Sequence, residues 1–201
     1  MYVIAGLGNP GKKYECTRHN MGFLALDLIS DKHGIEISKL KFRALLGEGR
    51  IGDEKVILVK PQTYMNLSGE AVREVVNFYK VPMDHLIVIY DDIDLPEGYL
   101  RIRASGSSGT HNGMRNVIYC LGEEGFPRIR VGIGGNGSQD LIDYVTGRIT
   151  EQEADPLWNA LNKAAEAACD IVEHGVAHAM QEYNIKPGRL KKLSEEEEQA
   201  K

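Results

Sequence analysis

Cysteine is scarce in this chain: Cys16, Cys120 and Cys169 stand far apart and are odd in number. They form no C-x-x-C zinc or redox pair, and they suit a reducing cytoplasm rather than a disulfide-braced secreted fold. Long apolar runs are missing, so no segment reads as a membrane span. The N-terminus lacks the basic-then-apolar order of a secretory signal, and a cytoplasmic location is expected. A basic excess is absent too. The formal net charge of the 201 residues is −5, which by itself argues against a nucleic-acid partner. Clustered arginines can override that total, because a local patch is what meets phosphate. Repeats and domain linkers are also lacking. What remains is an ordinary globular composition, 42% hydrophobic, sufficient for one domain with a sizeable core.

Strand-like and helix-like patterns alternate along the chain. Tyr2–Ala5, Ala44–Ile51, Lys55–Val59, Tyr99–Ala104 and Arg128–Ile133 read as strands, and Leu86–Tyr90 as a buried central one. Asn20–His33 places Phe23, Leu24, Leu28 and Ile29 on one helical face. Leu67 to Tyr79 gives a second helix, with Asn66 or Ser68 as its cap. Asn112–Leu121, a helix around Leu157–Val172 with Trp158 in its core, and Ala179–Tyr183 complete the pattern. The expected fold is a single α/β domain, a mixed and mostly parallel twisted sheet flanked by helices, over residues 1–187. Residues 188–201 read as a polar, frayed tail.

Gly6, Gly8 and Gly11 match the G-x-G-x-x-G of dinucleotide-binding loops. The context opposes that reading. A dinucleotide site starts its helix at the loop, whereas here Asn9-Pro10-Gly11 marks a turn and Lys12–Arg18 is polar. The acid expected roughly 20 residues on, at a strand end, is replaced by Asp27 and Asp31 inside a helical pattern.

Four polar loops follow expected strands: Asn9–Asn20, Lys60–Gly69, Asp91–Gly98 and Ser105–Gly113. Open α/β sheets bind ligands at the carboxyl ends of their strands, so these loops are candidates to converge. His19 is the best general base, since imidazole can take a proton from water near neutrality. Asp91 is the natural group to fix its tautomer, with Asp92 and Asp94 as rivals. Asn9, Asn66 and Asn112 offer hydrogen bonds to amides or to an oxyanion. Tyr64 and Met65 offer an apolar platform. No nucleophilic serine stands out, because Gly106-Ser-Ser-Gly109 is too short for an elbow, so direct attack by water is favoured. Arg101, Arg103, Arg115, Arg128 and Arg130 form a candidate phosphate patch, and Lys186, Arg189, Lys191 and Lys192 a second. His174, His178 and Glu182 recur at helical spacing but read as a polar surface stripe, not as a metal site.

Taken together, five segments resemble the bacterial-type peptidyl-tRNA hydrolases, in that family's order. They are Gly6–Gly11 with Tyr14 and Thr17–Asn20, then Lys60–Gly69, Asp91–Gly98, Gly106–Gly113 and Phe126–Gly134. The resemblance spans about Tyr2 to Pro187. It implies cleavage of the ester between a peptide and the terminal ribose of tRNA, by a monomer that needs no metal or organic cofactor. It implies His19 as base, Asp91 as its orienting partner and Asn9 as a contact to the peptide. Asn66 and Asn112 would bind the peptide backbone or the tRNA end. Tyr14 and Tyr64 would bind tRNA, with Met65 and His111 lining the site, and Arg103 and Arg130 would grip the 5′ phosphate. Thr110 departs from a common glycine and would be strained if its φ were positive. The stretch after Gly135 offers Gln139 where some members carry lysine. Splicing factors that bind RNA without catalysis also resemble this family. Retention of His19, Asp91 and the three asparagines favours the enzyme.

Overall fold

Strands β1 (Tyr2–Gly6) and β5 (Leu86–Asp92) are apolar on both faces, and both are central. The computed structural model describes residues 1–135 and 140–184. Gln139, the second basic group, the tail and the expected boundary at 187 lie outside the described residues. The other strands are β2 (Lys39–Lys41), β3 (Ala44–Ile51), β4 (Glu54–Pro61), β6 (Leu100–Arg103) and β7 (Arg128–Gly132). The helices are α1 (Met21–His33), α2 (Ser68–Tyr79), α3 (Asn112–Leu121), α4 (Leu141–Thr146), α5 (Glu151–His174) and α6 (Val176–Tyr183).

The strands form one sheet in the order β2-β3-β4-β1-β5-β7-β6. β4, β1, β5 and β7 are mutually parallel, while β2, β3 and β6 run antiparallel to their neighbours. The sheet is mixed as expected, but its parallel part is confined to the centre. The period of two sorts the core into two layers. Ile4, Ile87 and Ile89 point to one layer with Leu26 and Ile29 of α1 and Leu161 and Ile171 of α5. Val3, Ala5, Val88 and Tyr90 point to the other, with Val72 and Val75 of α2 and Val117 of α3.

Close packing accounts for the glycine fingerprint. A Cβ on Gly6 would lie 2.2 Å from the carbonyl oxygen of Gly22, and one on Gly22 would lie 2.2 Å from the amide of Leu7. The two glycines let α1 rest directly on β1. α1 begins at Met21, well beyond Gly11, so the helix that follows β1 does not start at the loop as a dinucleotide site requires.

Several local expectations are corrected. α2 has no side-chain cap, because Ser68 Oγ donates back to Met65 O rather than accepting from its helix. α5 begins at Glu151, ahead of Pro156, where Thr150 and Glu153 form a reciprocal capping box. Trp158 is 54% exposed, because the buried stripe of α5 runs through Leu157, Leu161, Ala164 and Ala168 beside it. Thr110 carries no positive φ; the left-handed residue of its loop is Gly109, at φ 56. The cysteines are free, and burial pushes the Cys169 thiol up to about 11, as suits an inert core group.

Candidate active site

Gly6 lies opposite Ile89, so the loop leaving β1 and the carboxylates ending β5 share one edge of the sheet. The β4 end, beyond Pro61, lies at the same edge. Three of the four polar loops thus meet at strand carboxyl ends as expected. The fourth arrives differently. β6 runs antiparallel, and Arg103 faces Arg128 at the opposite end of β7, so residues 104–111 run back to the site. Arg128 secures that return. It is buried, and its guanidinium donates to the carbonyls of Gly106, Ser107, Glu124 and Phe126. It is therefore a strut under the loop and not part of a phosphate patch.

A pocket of about 320 Å³ opens at this edge. His19 sits in a single 3-10 turn, Arg18–Asn20, at its floor. His19 Nδ1 lies 2.9 Å from both oxygens of Asp91. A carboxylate can only accept, so Nδ1 carries the proton and Nε2 keeps its lone pair. His111 is the second donor. Its Nδ1 accepts from the amide of Met114, 3.0 Å away, as the cap of α3. Its Nε2 must then carry hydrogen, and it lies 3.1 Å from Asp91 Oδ1. Burial alone would raise the Asp91 carboxyl. The imidazoles of His19 and His111 outweigh that and hold it well below the usual carboxylate range. Asp92 and Asp94 are not rivals. Asp92 pairs with Arg130 and accepts the Asp94 amide at 2.9 Å.

Asn9 is oriented on three sides. Its amide donates to Asn20 Oδ1 at 2.8 Å, and its carbonyl accepts from Asn20 Nδ2 at 3.0 Å. Its side-chain oxygen accepts the Met65 amide at 2.8 Å. The Asn9 NH₂ group is left without a partner among the described residues, on the wall of the pocket. Tyr64, Met65, Asn66, His111, Asn112 and Arg130 line the same pocket. Tyr64 is exposed, and Asn112 accepts from Arg115 at 3.2 Å. Tyr14 and Arg103 do not line it. Arg103 lies on β6 close enough to Arg101, and Arg130 likewise, to depress the Arg101 guanidinium after burial has done so.

One wall escaped the sequence reading: α4, which contributes Leu141, Ile142, Val145 and Thr146. Arg18 couples α4 to the base. Its Nε donates to Glu153 at 3.0 Å and its Nη1 to Tyr144 O at 3.2 Å, with the guanidinium stacked 4.5 Å from the Tyr144 ring. The Arg18 amide donates to Gly147 O, and Thr17 bridges Arg148. The sequence offered only the adjacency of Arg18 to His19; its burial and its reach to α4 and α5 are set by the fold.

The fold and this site define a class: an open α/β sheet with a carboxylate-held imidazole in a pocket at the strand ends. A sequence model of the family described as "Peptidyl-tRNA hydrolase" matches residues 3–194. The peptidyl-tRNA hydrolase of Caldanaerobacter subterraneus is 56% identical, over 92% of this chain and all of that protein. That of Alkaliphilus metalliredigens is 55% identical with the same coverage. The crystal structure of peptidyl-tRNA hydrolase from Acinetobacter baumannii superposes with a TM-score of 0.87 at 34% identity, covering 92% of this chain and 94% of that one. The chain belongs to the peptidyl-tRNA hydrolase family.

Proposed function

We propose that the protein hydrolyses the ester joining a peptide, or an N-blocked amino acid, to the terminal ribose of tRNA, and that His19 Nε2 is the base that activates water. The observation that carries this reading is the His19–Asp91 pair facing a pocket beside the free amide of Asn9. An ester needs only a base, a water and donors for the oxyanion. Asp91 keeps the base in its reactive tautomer and stabilises the imidazolium formed when water gives up its proton. Asn9 NH₂ then donates to the substrate carbonyl or to the peptide. A free aminoacyl-tRNA would bring an ammonium group to that donor and suffer desolvation without a partner, which favours blocked substrates. Asn66 and Asn112 hold the peptide backbone or the acceptor end, and Tyr64 and Met65 supply the platform beneath it. Tyr14, Arg103 and Arg130 extend contact to tRNA, with the arginines on the 5′ phosphate. The protein acts as a cytoplasmic monomer, and residues 1–187 form its one domain. An assembled base and an unpartnered donor favour catalysis over RNA binding alone.

Release of N-acetyl-amino acid from N-acetyl-aminoacyl-tRNA, beside the unblocked aminoacyl-tRNA, tests the assignment. Fast cleavage of the blocked substrate alone is expected. Equal cleavage of both would remove Asn9 as the discriminating contact, and cleavage of neither, with tRNA still bound, would leave an RNA-binding protein.

A further inference from the structure

Away from the pocket, the C-terminal helices gather a second group of ligating side chains. Asp170 lies in α5, His174 ends that helix and His178 lies in α6. Gly175, at φ 87, breaks the helix between the two histidines. The chain nevertheless returns His178 to the same carboxylate. His174 Nδ1 lies 2.8 Å from Asp170 Oδ1, and His178 Nδ1 lies 2.8 Å from Oδ2. One oxygen and two ring nitrogens fall within 4.8 Å of one another. The acid the two histidines share is therefore Asp170, one turn before His174, and not the Glu182 that their helical spacing suggested.

We propose that Asp170, His174 and His178 form a binding site for one divalent transition-metal ion of the zinc type, which clamps α5 to α6. Two neutral imidazoles and a carboxylate are a donor set that borderline cations favour. A tetrahedral ion bound at about 2.0–2.1 Å needs its ligand atoms roughly 3.3 Å apart. The two N···O separations of 2.8 Å, one to each carboxylate oxygen, fall about half an ångström short of that, and one ligand atom from each residue already lies within 4.8 Å of the others. The rings are free to make that shift, with 57% and 47% of their side chains exposed, while Asp170, at 13%, is the fixed anchor. The exposed side leaves room for a water as fourth ligand. The corner is also negative: Asp170, Glu166 and Glu182 all act on the neighbouring Tyr183 phenol. The clamp reaches the sheet, because Asn184, just beyond α6, bonds Ile102 of β6 in both directions, at 2.7 and 3.0 Å.

The test uses the untagged full chain, stripped with chelator and titrated with Zn²⁺ by calorimetry, with Co²⁺ absorption as a probe of coordination. Expected are one ion per chain at this site, a four-coordinate cobalt spectrum and a melting temperature raised by a few degrees. His174→Gln and His178→Gln should each weaken binding at least about tenfold and leave hydrolysis unchanged. Absence of binding to the wild-type chain, or binding that survives both substitutions, overturns the proposal. Surviving binding that inhibits hydrolysis would assign the ion to His19, Asp91 and His111, and overturns it equally.

Discussion

The chemistry of the site turns on which hydrogen each side chain carries. Asp91 accepts from His19 Nδ1 and from His111 Nε2, so both tautomers follow from one buried carboxylate and one helix cap. Asn9 is fixed in the same way, since the Met65 amide can only donate and must meet the Asn9 oxygen. Replacing Asn9 with Asp keeps that bond and removes the free donor. Hydrolysis by Asn9→Asp should fall by roughly 10²–10³-fold in kcat/KM, the effect of losing one oxyanion donor, with an unchanged circular-dichroism spectrum. A loss below tenfold would exclude Asn9 from the reacting centre. Asp91 also ties stability to pH. Its folded pKa is depressed, so its contribution is present above the unfolded value and is lost as pH falls through the folded one. Urea midpoints of the wild type should therefore decline progressively below about pH 5, and those of Asp91→Asn should decline less over the same window. The sequence supplied His19, Asp91 and Asn9 as residue types at strand ends. It put Asp91 ahead of Asp92 but could not supply the tautomers or exclude Asp92, because those depend on the pairing of Asp92 with Arg130 and the capping by His111.

At the scale of elements, what could be read from the sequence followed length and periodicity. β3, Ala44–Ile51, and α3, Asn112–Leu121, fall at their expected bounds because alternation and amphipathic spacing continue through each. β2 carries only Lys39-Leu40-Lys41, and its strand character comes from pairing with β3. α4 is six residues long, too short for a helical period to declare itself. Pro156 disguised the first turns of α5, where a helix tolerates it at the loss of one backbone bond. Those two missed stretches build the link from His19 to the pocket wall. Glu153, the partner of Arg18, is itself held below the ordinary glutamate range, because bonds from Arg18 and Thr150 overcome its burial. Arg18→Met removes the positive end of this partly buried pair. It should cost about 2–3 kcal/mol of stability in urea unfolding. It should also lower kcat by roughly 10–100-fold, through displacement of the base, while tRNA affinity changes little. A variant that is less stable but turns over normally would show that Arg18 braces α5 without positioning His19.

For the whole molecule, net charge was a misleading guide and loop order a good one. A chain of charge −5 still gathers Arg101, Arg103 and Arg130 on adjoining strands at one sheet margin. Binding through such a patch releases counterions and weakens with salt. The Arg103→Ala, Arg130→Ala double variant should raise KM for N-blocked aminoacyl-tRNA and flatten its dependence on salt, measured between about 50 and 200 mM. An unchanged slope would move the phosphate contact elsewhere on the surface. The meeting of the loops after β1, β4 and β5 was legible because parallel strands put their carboxyl ends on one edge. The return path of residues 104–111 was not, since the direction of β6 is set by pairing with β7 and not by its own four residues. The proposed role of His19, held by Asp91, is to activate water in this pocket. It is tested most directly by single-turnover cleavage of N-acetyl-aminoacyl-tRNA with wild-type and His19→Ala protein, alongside the tRNA affinity of each. Cleavage is expected to fall by at least about 10²-fold while affinity is retained. Cleavage at the wild-type rate by His19→Ala would contradict it.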